Sequence, residues 1–154
     1  FRNFHIKDQL QVKELVSISL RDTGSKHSPS IKNKLEKYIN KSIEGDLGHI
    51  DQYYNEGIFL VAVFEGKIIG SLGGIPENPK ELRLKRMSIK KEFRRQGIAK
   101  QLLRRIERWA CKKGFKEMIL GTSDIQKNAI QFWINSGFHL KEKIDWHSGF
   151  LFKF

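Results

Sequence analysis

The densest apolar run in the chain is Ile58-Phe59-Leu60-Val61-Ala62-Val63-Phe64. It is rich in β-branched and aromatic residues, and it predicts a buried strand. Glu65-Gly66-Lys67 then predicts a tight turn into Ile68 to Ile75, so the two runs read as an antiparallel hairpin. Pro76 to Lys80 is a loop. Leu82 to Ile89 is the next strand, with Leu82 and Leu84 apolar and then, after a shift of phase, Met87 and Ile89.

Ahead of the hairpin the spacing turns helical. Phe1 to Ile6 alternates like a first strand, and Asp8 is placed to cap a helix whose stripe is Leu10, Leu15, Val16 and Ile18. After a polar loop, a second helix starts near Ser30 with Ile31, Leu35, Ile39 and Ile43 spaced four apart. Leu47, Ile50 and Tyr54 suggest a short helix before Gly57. Beyond the hairpin, Ile98, Leu102, Ile106 and Trp109, with Ala99, Leu103 and Ala110, make one face of a long helix. Arg104, Arg105, Arg108, Lys112 and Lys113 make the other, and Gly114 ends it. Met118 to Leu120 reads as a short strand, and Ala129 to Trp133 as a helix stopped by Gly137. Phe138 to Ile144 and Phe150 to Phe154 read as closing strands around a Trp146-His147-Ser148-Gly149 turn. The pattern predicts a mixed α/β fold. The length of 154 residues fits one domain spanning 1–154.

Charge changes the picture more than length does. Lys and Arg number 29 against 17 Asp and Glu, a net charge of +12, so an anionic partner is expected. The single cysteine, Cys111, leaves no disulfide and no thiolate zinc site within one chain, and five histidines show no metal spacing. No bound metal is expected. No run reaches the roughly 20 apolar residues that span a bilayer, and no signal peptide is visible. A cytoplasmic protein with no membrane partner is therefore expected.

The stretch that carries chemistry is a strand, a short basic linker and a helix: Arg94-Arg95-Gln96-Gly97-Ile98-Ala99, continuing to Lys100. The first N–H groups of a helix lack internal partners and carry the positive end of its dipole. Gly97 lets an anion approach them, and the flanking cations add charge. The linker is neither a Walker loop nor a dinucleotide fingerprint.

Arg-x-x-Gly-x-Ala after the strand Leu84 to Ile89 resembles the GCN5-related N-acetyltransferase (GNAT) superfamily. So does Ala129-Ile130-Gln131-Phe132-Trp133-Ile134-Asn135-Ser136-Gly137-Phe138, which is similar to that family's closing helix. Thr122-Ser123-Asp124-Ile125-Gln126 is similar to the camello-like branch, whose members often carry a membrane segment that is not seen here. The resemblance implies a single GNAT-like domain. Its central sheet would be mostly antiparallel, with about six or seven strands and about four helices, the fourth and fifth strands splayed around acetyl-CoA. It implies that the cofactor pyrophosphate lies on backbone amides from Arg95 to Lys100, beside Arg94. The pantetheine arm would pair with Met87, Ser88 and Ile89, and Gln126 and Trp133 would line the same ligand. The backbone N–H of Met87 would polarise the thioester carbonyl. Tyr53 and Tyr54, in the segment matching the family's acceptor-binding loop, would either line the acceptor entrance or simply pack, with packing the favoured reading.

Two positions depart from that pattern. Trp133 stands where the family commonly has a tyrosine acid, and an indole N–H cannot protonate a thiolate. Arg83 stands where a glutamate base is frequent, and it stays protonated. Glu81, two residues earlier on the same face, is the substitute carboxylate. The expected function is transfer of an acetyl group from acetyl-CoA to a primary amine of a small molecule or peptide. The basic charge favours a carboxylate-bearing acceptor, although Glu44, Asp46, Asp51 and Glu56 gather in the acceptor segment. A non-catalytic acetyl-CoA sensor is the alternative. A nucleic-acid module is disfavoured, because no zinc finger, helix-turn-helix or stacking ladder is present. A homodimer would be usual for the family.

Overall fold

The computed structural model describes residues 1–123, 125–145 and 150–153, with backbone only for 142–145 and 150–153. The expected turn at Trp146-His147-Ser148-Gly149 lies outside the described residues. The chain forms two compact units, Phe1–Met118 and Ile119–Phe154.

The first unit opens with β1 (Arg2–Asn3), then α1 (Gln9–Gly24), α2 (Pro29–Glu44) and the short α3 (Ile50–Tyr53). The hairpin is β2 (Ile58–Phe64) and β3 (Lys67–Pro76), followed by β4 (Glu81–Ile89) and α4 (Ile98–Lys113). With β5 (Glu117–Ile119) the strands form a sheet in the order β1-β2-β3-β4-β5, whose ladders from β1 to β4 are antiparallel. Glu65 and Gly66 both have positive φ, the two-residue turn that matches strand twist.

Helices cover both faces of this sheet, which is why β2 reads as a continuous apolar run and not as an alternation. On one face Val12, Leu15 and Val16 of α1 pack with Leu47, Ile50, Tyr54, Phe59, Val61 and Ile68. On the other, α4 buries Leu102, Leu103, Ile106 and Ala110 while its Arg104, Arg105, Arg108, Lys112 and Lys113 stay exposed, as the periodicity predicts. Gly70 on β3 lets that helix approach: a Cβ there would lie 3.2 Å from Ile98 and 2.9 Å from Ile89.

Four local expectations are corrected. β1 is only Arg2–Asn3, because the chain turns at His5 into a 3-10 helix at Ile6–Asp8. Asp8 makes no cap to α1; it accepts the His5 N–H and a forked pair from Arg2. The buried stripe of α1 runs through Val12, Leu15 and Val16, leaving Leu10 and Ile18 exposed. α2 starts one residue earlier than expected, with Ser28 accepting the Ile31 N–H as cap and Pro29 at its first position.

The second unit holds β6 (Gly121–Ser123), α5 (Lys127–Asn135), β7 (Glu142–Asp145) and β8 (Phe150–Lys153). Its strands pair antiparallel in the order β6-β8-β7. The strand expected to start at Phe138 begins only at Glu142, and Leu140 is exposed. Gly137, at φ 94, follows α5 as expected.

Candidate functional site

The phase shift in β4 is a β-bulge. Ser71 faces Ser88 and Gly73 faces Lys85, so β4 carries one residue more than β3 over the same stretch. Arg86 and Met87 fall in the gap of the register, and Arg86 has φ 60. A left-handed conformation costs a residue with a Cβ about 1–2 kcal/mol. It is held here by contacts at both ends of Arg86. Its carbonyl accepts a hydrogen bond from Ser71 Oγ at 2.8 Å, and Ser71 is fully buried. Its guanidinium makes a forked pair with Asp46, Nε to Oδ2 at 2.8 Å and Nη2 to Oδ1 at 2.6 Å. Nη1 donates to the Tyr38 hydroxyl at 3.1 Å, and the Tyr54 hydroxyl donates to Asp46 at 2.8 Å.

This network is buried: the Arg86 and Asp46 side chains are 8% and 4% exposed. Burial raises the Asp46 carboxyl, but the Arg86 guanidinium, Lys85 and the Tyr54 hydroxyl outweigh it and hold the group below the usual carboxylate range. Burial opposes the Arg86 charge as well, and Asp46 more than offsets it, so Arg86 stays protonated. Burial and the Asp46 charge push the Tyr54 hydroxyl up, so it remains a donor. Gly73 makes room for Tyr54, since a Cβ there would lie 2.6 Å from the ring. Gln9 of α1 accepts the Ile50 N–H at 3.1 Å and donates to the Leu47 carbonyl, which fixes the segment carrying Asp46 and Tyr54.

Beyond β4, Arg95 at φ 62 and Gly97 at φ 80 fold the linker sharply into α4. Gly97 is the N-cap residue, and among the described residues no side chain caps this helix. A Cβ on Gly97 would point into open space, so the glycine serves the backbone angle and leaves clearance before the helix N-terminus. Arg95, Gln96, Gly97 and Lys100 are exposed, and Ile98 and Ala99 are half-buried. Arg94 is occupied in folding the linker: its Nε donates to the Ile89 carbonyl at 3.0 Å and its Nη1 to Asp22 at 3.1 Å. It also lines an open cleft of about 680 Å³ beside α1 with Leu15, Ile18 and Asp22.

Met87 and Ile89 are half-buried and Ser88 is buried on the strand leading to that linker. Tyr53 is exposed, and its hydroxyl accepts from Lys85 Nζ at 3.0 Å. Tyr54 is 4% exposed and belongs to the Asp46 network, not to an open entrance. Asp46 is likewise withdrawn from the acidic cluster of its segment. Glu81 is half-buried and accepts from Asn78 Nδ2 at 2.6 Å in the loop before β4. Arg83 pairs with Glu77 at 2.8 Å, which raises it further above its ordinary value. In the second unit, Gln126 precedes α5 and accepts from Thr122 Oγ1 at 2.5 Å, which orients its amide. Trp133 is buried edge-on to Phe132 and Phe138.

Sequence reasoning missed Arg86, Tyr38 and Ser71. The phase shift between Leu84 and Met87 was the one available signal, and it located the bulge without naming its anchors. Among the described residues no group of His, Cys, Asp and Glu could hold a metal, and no helix is long and apolar enough to cross a membrane.

The chain is similar to known proteins in sequence and in fold. Human N-acetyltransferase 8B is 34% identical over 110 residues, 66% of this chain and 48% of that protein. The N-acetylaspartate synthetase of Danio rerio is 30% identical over 105 residues, 66% of this chain and 37% of that protein. The chain thus spans about half or less of the length of these curated relatives. Among solved structures, the PaiA N-acetyltransferase of Thermoplasma acidophilum in complex with coenzyme A superposes with a TM-score of 0.80 at 24% identity. That match covers 99% of this chain and 95% of that one. A GNAT acetyltransferase of Staphylococcus aureus gives 0.78 at 22% identity, with the same coverage. The sequence profile of the Acetyltransferase (GNAT) family matches residues 28–138, which include both the β4 bulge and the Gly97 linker, and the chain belongs to that family.

Proposed function

We propose that this chain is an N-acetyltransferase that moves an acetyl group from acetyl-CoA to the primary amine of a carboxylate-bearing small molecule or peptide. The observation that carries the reading is the uncapped N-terminus of α4 behind Gly97, one short linker beyond a bulged strand. The first supplies amide donors for a pyrophosphate. The second turns a backbone N–H out of the ladder.

The donor residues fit acetyl-CoA. Amides from Arg95 to Lys100 would hold the pyrophosphate, with Arg95 and Lys100 as exposed cations. Backbone groups of Met87, Ser88 and Ile89 would receive the pantetheine arm. Acetyl-CoA supplies an activated acetyl thioester. The Met87 N–H would sit where charge develops on the carbonyl oxygen. Trp133 packs between aromatic rings and acts by shape, not by giving a proton. Arg83 cannot take one, so Glu81 is the candidate carboxylate on β4 to receive it. Positioning the amine carries much of such a reaction.

The acceptor class follows from charge. Lys85, on β4 beside the exposed Tyr53, is a cation next to the bulge whose Nζ donates to the Tyr53 hydroxyl. It suits a carboxylate near the amine. A relative named N-acetylaspartate synthetase makes a product of a dicarboxylic amino acid, which is in keeping with this.

The test has two arms. Saturating acetyl-CoA should raise the melting temperature, because a ligand that binds only the folded state stabilises it. Release of CoA thiol is then followed with amino acids, acidic dipeptides, polyamines and aminoglycosides. Turnover with carboxylate-bearing amines, reduced at least tenfold by Lys85→Glu, is expected. No thermal shift would refute acetyl-CoA binding. A shift without turnover on any amine would favour the sensor, and preference for polyamines would refute the acceptor class.

A further inference from the structure

Where a strand needs positive φ, glycine adopts it without strain. This chain places an arginine at φ 60 in the β4 bulge and gives each nitrogen of its guanidinium a protein partner. The usual solution is absent, so the side chain is the reason for the residue. The partners come from two other parts of the unit: Tyr38 from the last turns of α2, and Asp46 and Tyr54 from the segment around α3. Ser71 on β3 takes the carbonyl that the bulge has turned out of the ladder. Arg86 is thus held at its backbone and at its tip, and the next residue is Met87.

We propose that Arg86 is a positioning residue for acetyl transfer: clamped by Asp46, it holds the bulge so that the Met87 N–H points at the thioester carbonyl. This rests on the proposed function, because it takes Met87 as that donor. A carbonyl donor must be aimed before the reaction begins, since its value lies in needing no reorganisation. A bulge held only by its backbone ladder could relax toward regular pairing, moving Met87 to the opposite face. The forked Arg86–Asp46 pair prevents that, because a one-residue slip would withdraw the guanidinium from a buried carboxylate. A lysine could keep the charge but not the fork.

Three variants test this: Arg86→Gly, which tolerates the backbone angle but has no clamp; Arg86→Lys; and Tyr38→Phe, which removes one contact from an exposed ring. Each is assayed for kcat, KM and equilibrium acetyl-CoA binding. The carbonyl stretch of bound acetyl-CoA labelled with carbon-13 at its thioester carbon is recorded by infrared difference spectroscopy. In the parent protein the stretch should lie below that of free acetyl-CoA, the mark of a donor on the carbonyl. Arg86→Gly and Arg86→Lys should return it toward the free value and lower kcat by roughly 100-fold. The acetyl-CoA dissociation constant should change by less than about threefold, since the pyrophosphate site is untouched. Tyr38→Phe should fold normally and give an intermediate shift with a loss of about two- to fivefold.

An unchanged stretch and kcat in folded Arg86 variants would overturn the proposal. So would a parent-like stretch in Tyr38→Phe if the Arg86 variants fail to fold. A parent protein that binds no acetyl-CoA would instead defeat the proposed function, and a parent stretch equal to that of free acetyl-CoA would remove Met87 as donor.

Discussion

Gly97→Glu separates folding from ligand binding. Gly97 has φ 80, and a Cβ added there meets nothing within 4 Å. A residue with a Cβ therefore carries the strain of the left-handed region, about 1–2 kcal/mol, and its Cβ meets no neighbour. A glutamate at the head of α4 recovers part of that from the helix dipole, about 0.3–1 kcal/mol. The free protein should consequently lose little stability. The ligand is affected differently. A carboxylate about 4 Å from one phosphate charge is repelled by roughly 1 kcal/mol in water and roughly 4 kcal/mol at an effective dielectric near 20. On an exposed rim the value falls between these, a loss of roughly 5- to 900-fold in affinity. In a thermal or urea melt with acetyl-CoA at about 100 times the parent dissociation constant, the parent gains about 2.7 kcal/mol. A variant weakened about 100-fold would gain only about 0.4 kcal/mol under the same conditions. Gly97→Ala is the control, with the same strain, no charge and most of the ligand-induced gain retained. A Gly97→Glu protein that keeps the full gain would show that the pyrophosphate does not lie at the head of α4.

Three further outcomes are expected. The Asp46 carboxyl sits below its ordinary range, so the Asp46–Arg86 pair contributes its full stability above about pH 4 and loses it as the pH falls through the folded-state value. Asp46→Ala should cost about 3–5 kcal/mol at pH 7, because it leaves a buried guanidinium uncompensated. A parent-to-variant gap in urea midpoints that is unchanged from pH 7 to pH 2.5 would contradict the linkage. Gly73→Ala should cost about 1–3 kcal/mol, since the new methyl would meet the Tyr54 and Phe59 rings at 2.6 and 2.7 Å; an unaltered urea midpoint would show that both rings move aside freely. Ser17 Oγ in α1 is buried with no partner among the described residues, so Ser17→Ala should stabilise by about 1 kcal/mol. A fall in the denaturation midpoint of that variant would reveal a hydrogen bond to the hydroxyl.

Local pattern determined a great deal here. The α4 stripe, its Gly114 stop and the Glu65-Gly66 turn all depend on residues a few positions apart, and each stands where spacing and turn chemistry placed it. The Gly97 linker was legible for the same reason, since a helix start and a glycine are neighbours in sequence. Even the bulge left a trace, as the break in alternation between Leu84 and Met87. What holds the bulge left none. Arg86 and Asp46 are 40 residues apart, and Asp46 read as one of several acidic residues on an acceptor loop until the packing of Leu47 and Ile50 against α1 turned it inward. Tyr54, open in sequence between lining the entrance and packing, is a buried donor for the same reason. Periodicity reports which face of one element is apolar. It cannot report which charged residue on one element meets which on another, because that depends on how the elements stack. The tertiary structure alone decided that the strained residue of β4 is an arginine gripped by Asp46.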